Sequence, residues 1–338
     1  MFGQREWAYF RNCLAMPFAG ALHQSNGKPL YASCHRRRSI QHPKWFGMPD
    51  SIPTSIVVSE EIPPSIYIPF LEFRHFGHLL TETAGWLSSL LQPSLPKNIP
   101  THIILGSFAS TYKKEVSQVL GWPENNILGT EELTGVVRIR KIWVPIPSMV
   151  NRDRIYLRHF DAVQRLIDRV YEVDTKYILT QSPSKAFYGR RIYLSRSRLS
   201  QHQRTIEGES DLENELLSLG WQIVHPQELT IREQLLHLVA ADVIAGPLGS
   251  AFHLLMALGL RWRPKQLITL GLKDELNQPG PGQNYAMHFR LQGFNYHHLP
   301  VLEPEHADVC YNYKENSPLH FTERTHAVAL LINQHKRD

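Results

Sequence analysis

The chain has 338 residues, with 36 Lys and Arg against 31 Asp and Glu, and a formal charge of +5. Duplex-binding proteins concentrate a stronger basic excess, so this surplus suits a mildly basic surface for phosphorylated small molecules. With 42% hydrophobic and 20% charged residues, global disorder is excluded, and at about 100 to 200 residues per domain the length predicts two domains. Cys13, Cys34 and Cys310 have no metal-type spacing and cannot all pair, which fits a reducing compartment. Arg5 and Glu6 stand where the apolar core of an export signal would fall, and no run of about 18 apolar residues occurs. The expectation is a cytoplasmic chain that neither leaves the cell nor spans a membrane. Trp7, Phe10 and Arg11, or Trp45 and Phe46, are its candidates for peripheral contact at the inner membrane surface.

The first hundred residues are Pro-rich, and short β-branched runs at 55–59 and 65–69 predict strands closed by proline. From Leu79 the spacing changes. Leu80, Ala84, Leu87 and Leu91 fall at steps of four, three and four, an apolar helix stripe that ends before Pro93. A strand over 101–105, a helix over 112–120 and a strand over 136–144 come next. Residues 153–173 are the longest amphipathic stretch, with Ile155, Phe160, Val163, Leu166, Ile167 and Val170 apolar, and they divide the chain. After a polar loop at 180–185 the alternation is regular: strand 191–195, helix 211–219, strand 221–224, helix 231–240, strand 242–245, helix 251–258, strand 266–270. Such alternation predicts a parallel, doubly wound α/β sheet, because parallel strands need crossover helices. A last helix spans 321–334.

Two segments of the second half carry anion-binding chemistry. Ala245-Gly-Pro-Leu-Gly-Ser-Ala-Phe-His253 lies between a strand and a helix, where Gly246, Gly249 and Ser250 let backbone N–H groups approach an anion, with His253 one turn further on. It is neither a Walker loop nor a dinucleotide fingerprint, and Ser250 lacks the elbow of a hydrolase nucleophile. Taken alone, the glycines are also ordinary turn formers and Ser250 an N-cap. Arg190-Arg-Ile-Tyr-Leu-Ser-Arg-Ser-Arg198 is a strand running into a basic loop, with Arg204 six residues on. It delivers Ser195, Arg196 and Arg198 to the carboxyl end of a strand, where open α/β sheets bind ligands. Guanidinium groups there suit phosphate oxygens. Ser210-Asp-Leu-Glu213 and Thr230-Ile-Arg-Glu233 spell capping boxes, which use Glu213 and Glu233 structurally and leave Glu209 and Gln234 as the freer polar groups.

In the first half, His75-Phe-Gly-His78-Leu-Leu-Thr-Glu82 opens the apolar-striped helix. His78 and Glu82, four apart, share one helix face, an arrangement suited to proton abstraction. His-Glu-x-x-His is absent, so zinc is not indicated, and no Asp-x-Asp triplet offers a holder for a metal-bridged diphosphate. Arg36-Arg-Arg38 reads as a solvated face.

The stretch from Arg191 to Leu258 resembles glycosyltransferase family 61. Its pattern is matched in order and spacing by Tyr193-Leu-Ser-Arg196, Arg204 with Gly208-Glu209, Gly220-Trp-Gln-Ile-Val-His-Pro226, Glu233-Gln234 and Gly246-Pro-Leu-Gly-Ser-Ala251. Gly77-His-Leu-Leu-Thr-Glu82 resembles a helix start of the same family. Gly208 stands where the family has Asn, and Leu248 where many members have His. The resemblance implies an inverting, metal-independent GT-B enzyme: two Rossmann-like domains facing a cleft, with the acceptor on the N-terminal domain (1–170) and the nucleotide sugar on the C-terminal domain (171–315). A helix at 316–338 would pack back toward the first domain. A sugar would pass from a nucleotide sugar, UDP-linked, to a glycan hydroxyl in surface polysaccharide (capsule) assembly, with Glu82 or His78 as base. Ser195, Arg196, Arg204, Glu209, Gln234, Gly246, Gly249, Ser250 and His253 would form the donor side, with neither metal nor cofactor. The alternative is a catalytically degenerate protein that binds a glycan or nucleotide sugar. A nicotinamide oxidoreductase is opposed by the missing glycine fingerprint, and nucleic-acid binding has no motif to support it.

Overall fold

The computed structural model describes residues 6–35, 51–53, 55, 57–92, 102–180, 190–199, 205–277, 282–304 and 319–335. Arg36–Arg38, Trp45, Phe46, the 181–185 part of the polar loop, Arg204 and Cys310 lie outside the described residues. Two compact units emerge, Met1–Val170 and Tyr171–Asp338.

The first unit is built on a six-stranded sheet: β1 (Trp7–Ala15), β2 (Val58–Ile62), β3 (Ser65–Phe70), β4 (His102–Phe108), β5 (Ile127–Gly129) and β6 (Val136–Pro145). The order is β1-β6-β3-β4-β5, with β2 also pairing β6. All pairings are parallel except that of β1 with β6. Among the parallel strands, β3, β4 and β5 progress in one direction while β6 returns to the far side of β3. The sheet therefore has a switch point between β3 and β6. Every residue of β3 is buried, which explains why Ser-Ile-Tyr-Ile-Pro-Phe reads as a continuous run rather than an alternation.

The helix after β3 runs over 76–87, shorter than the apolar stripe predicts, and it is not uniform. Phe76–His78 is α-helical, Leu79–Thr83 is a π-turn, and Ala84–Leu87 returns to α. Leu90 and Leu91 are still buried in the turn beyond it. The long amphipathic stretch also begins later than its pattern suggests. Arg154–Ile155 is a short strand, β8, paired with β7 (Met149–Val150), and the helix proper is Arg158–Tyr171.

The second unit centres on a parallel five-stranded sheet of β9 (Arg191–Leu194), β11 (Gln222–Val224), β12 (Val243–Pro247), β13 (Gln266–Leu270) and β14 (Tyr296–Leu299), ordered β11-β9-β12-β13-β14. A small sheet joins β10 (Ile206–Glu207), β15 (Leu302–Pro304) and β16 (Leu319–Phe321) beside it. Counted within the main sheet the order is 2-1-3-4-5, so direction reverses between β9 and β12. The final helix, Thr325–Gln334, is part of this unit and not a separate segment. Val328, Ala329 and Ile332 share a core with Leu212 and Leu216 of helix Glu209–Ser218 and with Tyr193 and Trp221.

Candidate active site

The two segments of the second unit that the sequence marks as candidates for anion binding, about 50 residues apart in sequence, meet at its switch point. The guanidinium of Arg196, just past β9, donates from Nη1 to the carbonyl of Leu248, 3.3 Å away. Gly246 lets β12 approach β9: a Cβ there would stand 2.7 Å from the Leu194 carbonyl oxygen. A Cβ on Gly249 would lie 3.5 Å from Arg196 Nη1. The turn ends in helix Ser250–His253, which tightens into a 3-10 segment over Leu254–Leu258. The predicted single helix over 251–258 is thus a short α-turn with a 3-10 continuation. Leu248 is used through its backbone, since its N–H donates to Leu270 O at 2.9 Å and its side chain is buried.

Around this turn the polar side chains are committed. Ser195 is buried, donates to Glu213 Oε1 at 2.5 Å and accepts the Ser197 N–H at 3.0 Å. Glu213 therefore serves Ser195 and not a capping box, and the helix begins at Glu209 with Gly208 as N-cap at φ 80°. Glycine takes this left-handed conformation without strain, and Asn is the other residue that visits it. Glu209 is buried, not free. Its Oε1 accepts from the Arg196 N–H and the Tyr193 hydroxyl, each at 3.1 Å, and Oε2 has no hydrogen-bond partner among the described residues. Burial, against these hydrogen bonds, pushes its carboxyl up to about 7. Thr230 and Glu233 do form the predicted capping box. Gln234 Nε2 donates to the carbonyls of Pro226 and Leu229, at 2.8 and 3.1 Å, and so holds the 226–229 turn. His253 is buried with its ring stacked on Tyr285, centroids 4.2 Å apart.

In the first unit, Glu82 sits inside the π-turn, a helix irregularity frequent at functional sites. Its side chain is 2% exposed, and its two oxygens lie between two imidazoles: His78 Nδ1 is 2.5 Å from Oε2, and His35 Nε2 is 3.0 Å from Oε1. The Trp86 indole N–H, which can only donate, reaches His35 Nδ1 at 3.3 Å and so leaves the His35 proton on Nε2, toward Glu82. The His35 ring stacks on Phe70, at the end of β3, with centroids 3.9 Å apart. A cavity of 220 Å³ opens here, with Glu82, His35, Trp86, Asn151, Arg154 and Tyr156 in its walls. Pro145, the last residue of β6, lines it too, so the cavity stands at the carboxyl ends of β3 and β6, the switch point of this sheet. Among the described residues no cluster of three or more His, Cys, Asp or Glu side chains could hold a metal ion.

Sequence reading finds His78 and Glu82 from their helical spacing but misses His35 and Asn151. His35 is 47 residues from Glu82 and belongs to no periodic element. Asn151 lies in the turn between two-residue strands, too short to show a pattern.

Residues 76–260, more than half of the chain, match the family Glycosyltransferase 61. The chain belongs to this family and is a glycosyltransferase, one that acts on a sugar donor and an acceptor. No curated protein matches it. The matched span begins at the helix carrying His78 and Glu82 and ends just beyond the Gly246–Ser250 turn, so it takes in the second cluster and all of the first except His35 and the Phe70 beneath it. No helix among the described residues is long and apolar enough to cross a membrane.

Proposed function

We propose that this chain is an inverting, metal-independent enzyme of the GT-B type that moves a sugar from a UDP-linked donor to a glycan hydroxyl in surface polysaccharide assembly, on the cytoplasmic side of the membrane. The observation that carries the reading is the buried Glu82 carboxylate in the wall of a cavity, bracketed by His35 and His78. Glu82 is the general base, because it lines the cavity. It takes the acceptor hydroxyl proton while that oxygen forms its bond to the anomeric carbon and the bond to the donor diphosphate breaks, which inverts the centre. His78, with 31% of its side chain exposed, relays the proton to water. His35, its tautomer set by Trp86, is a positioning residue for the carboxylate.

On the donor side, Arg196 and the backbone N–H groups that open helix Ser250–His253 stabilise the departing diphosphate, so that fixed protein charge and dipoles act where other enzymes use a metal. Ser195 holds the loop in place through Glu213, and Glu209 holds the Arg196 backbone through its Oε1. Gly208 and Leu248, the two departures from the family pattern, act through backbone geometry, which supports an active enzyme over a degenerate binding protein.

Thermal melting with UDP, GDP, CMP, NAD and UDP-sugars, with and without a chelator, tests the donor half. UDP at 100 times its Kd should stabilise the fold by about 2.7 kcal/mol with the chelator present, and equal shifts for all nucleotides or loss with chelator would reject it. The base is tested with Glu82→Gln in transfer assays over a panel of methyl glycosides. Turnover should fall roughly 10²- to 10⁴-fold with the UDP shift kept; full turnover would remove Glu82 from the chemistry.

A further inference from the structure

We propose that Thr83 is a positioning residue for Glu82: its hydroxyl clips the π-turn to the loop after β3 and so fixes where the carboxylate meets its two imidazoles. The proposal rests on the reading of Glu82 as base. A threonine inside a helix ordinarily turns its hydroxyl back onto its own helix, to a carbonyl one turn earlier. Thr81 does this, donating to the Gly77 carbonyl at 2.9 Å. Thr83, fully buried in the same π-turn, reaches out of the helix instead. Its Oγ1 accepts the Glu72 N–H at 2.7 Å and donates to the Glu72 carbonyl at 3.0 Å, 11 residues back in the chain. One side chain thus satisfies both main-chain groups of a residue just past β3, as a neighbouring strand would.

Glu72 passes the constraint on. Its Oε1 accepts the N–H groups of Arg74 and His75, at 2.8 and 3.2 Å, and the Tyr112 hydroxyl at 2.5 Å. His75 Nδ1 in turn accepts the His78 N–H at 3.4 Å and caps the helix start. The bonds therefore close a ring, from Thr83 through Glu72 and His75 to His78, whose imidazole lies against Glu82. Phe70, at the end of β3 and the start of the same loop, carries the stacked His35 ring. A π-turn persists where its surroundings hold it against regular winding, and the Thr83 clip is such a hold, directly beside Glu82 in the chain. Thr83 does not line the cavity, so it acts on the chemistry through Glu82 and not through a substrate.

The test is a double-mutant cycle in the full chain, with transfer from a UDP-sugar to methyl glycosides followed by initial rates. Thr83→Val keeps the branched shape and removes the hydroxyl. It should lower kcat roughly 10²-fold, the scale of a reacting group misplaced by an ångström, with the acceptor KM and the UDP melting shift unchanged. Thr83→Ser, which keeps the hydroxyl, should recover most of the rate. In the Glu82→Gln background Thr83→Val should cost nothing further, because the residue it positions has already lost its function. A loss of the same size in both backgrounds, or a parental kcat in Thr83→Val, would overturn the proposal. If Thr83→Val fails to fold, Glu72→Ala, at a half-buried position, takes its place. Its kcat should fall in the parent and hold in the Glu82→Gln background, and a parental kcat there overturns the proposal in the same way. Full turnover in Glu82→Gln sinks the base reading and the role of Thr83 with it, whereas an inactive Glu82→Gln beside a fully active Thr83→Val sinks the clip alone.

Discussion

Each of the two units places its polar cluster at the same topological position, beyond the carboxyl ends of the strands where direction reverses, yet the two clusters have opposite chemistry. At β3 and β6 a carboxylate is bracketed by two imidazoles in a cavity, with Arg154 at its wall. At β9 and β12 a guanidinium lies over a glycine turn, and the nearby carboxylates, Glu209 and Glu213, are spent on the backbone and on Ser195. The sheet fixes where a site can form, and the residues just past the strand ends decide whether it presents a carboxylate or a guanidinium.

That contrast can be broken most directly at Arg196. Arg196→Ala should lower turnover roughly 10²- to 10³-fold, the usual cost of removing one preorganised stabilising donor, and should diminish the UDP melting shift. Glycoside binding to the first unit should be unaffected; a variant that loses glycoside binding but keeps UDP would reverse the assignment of roles. A second test concerns protonation inside the second unit. Glu209, ordinarily near 4.5, is pushed up to about 7 by burial, so its contribution to stability is complete below 4.5 and is lost as pH rises through 7. His288, ordinarily near 6.5, is pushed down to about 4 by burial, so its contribution is complete above 6.5 and is lost as pH falls through 4. At 1.36 kcal/mol per pH unit each amounts to about 3 kcal/mol, and between 4.5 and 6.5 the slopes oppose. In urea unfolding, Glu209→Gln should expose stability that rises with pH, and His288→Gln stability that falls. Identical profiles in both variants would remove these two groups as the source.

The smallest effect sharpens the proton-handling side. His35→Phe keeps an aromatic ring against Phe70 but loses the imidazole 3.0 Å from Glu82, and should lower kcat less than the Arg196 and Glu82 substitutions do. The acceptor KM should hold, and His35→Gln should recover part of the rate. A change confined to KM would make His35 an acceptor contact instead of a positioning residue.

Much of the second unit is legible in the sequence because its strands and helices are local and regular. The Ser195-Arg196 and Gly246–Ser250 segments can be placed at strand ends from periodicity alone, as can the helical pairing of His78 with Glu82. The two capping-box spellings show where such reading stops. Thr230-Ile-Arg-Glu233 closes as written, whereas Glu213 is drawn to Ser195 by a contact 18 residues back, and the helix starts at Glu209. β1 is missed for a related reason: its partner β6 lies more than 120 residues away, and its half-exposed edge shows no clean alternation. β14, Tyr296-His-His-Leu299, is largely polar and only partly buried, so nothing in its composition announces a strand. His35 meets Glu82 from 47 residues back in the chain and Asn151 sits in a bare turn, so the cavity they share has no signature in local spacing.

The π-turn at Leu79–Thr83 makes the Glu82 cluster sensitive to chain length as well as to residue identity. A π-turn holds one residue more than the surrounding α-helix needs. Deleting one residue there would restore regular winding with the flanking Phe76–His78 and Ala84–Leu87 turns kept nearly in line, since each kind of turn closes about one revolution. A deletion among Leu79, Leu80 and Thr81 would also shorten the His78–Glu82 spacing from four residues to three, so imidazole and carboxylate would meet at a different angle while both residues were still encoded. Activity would then fall in a chain that had lost neither side chain.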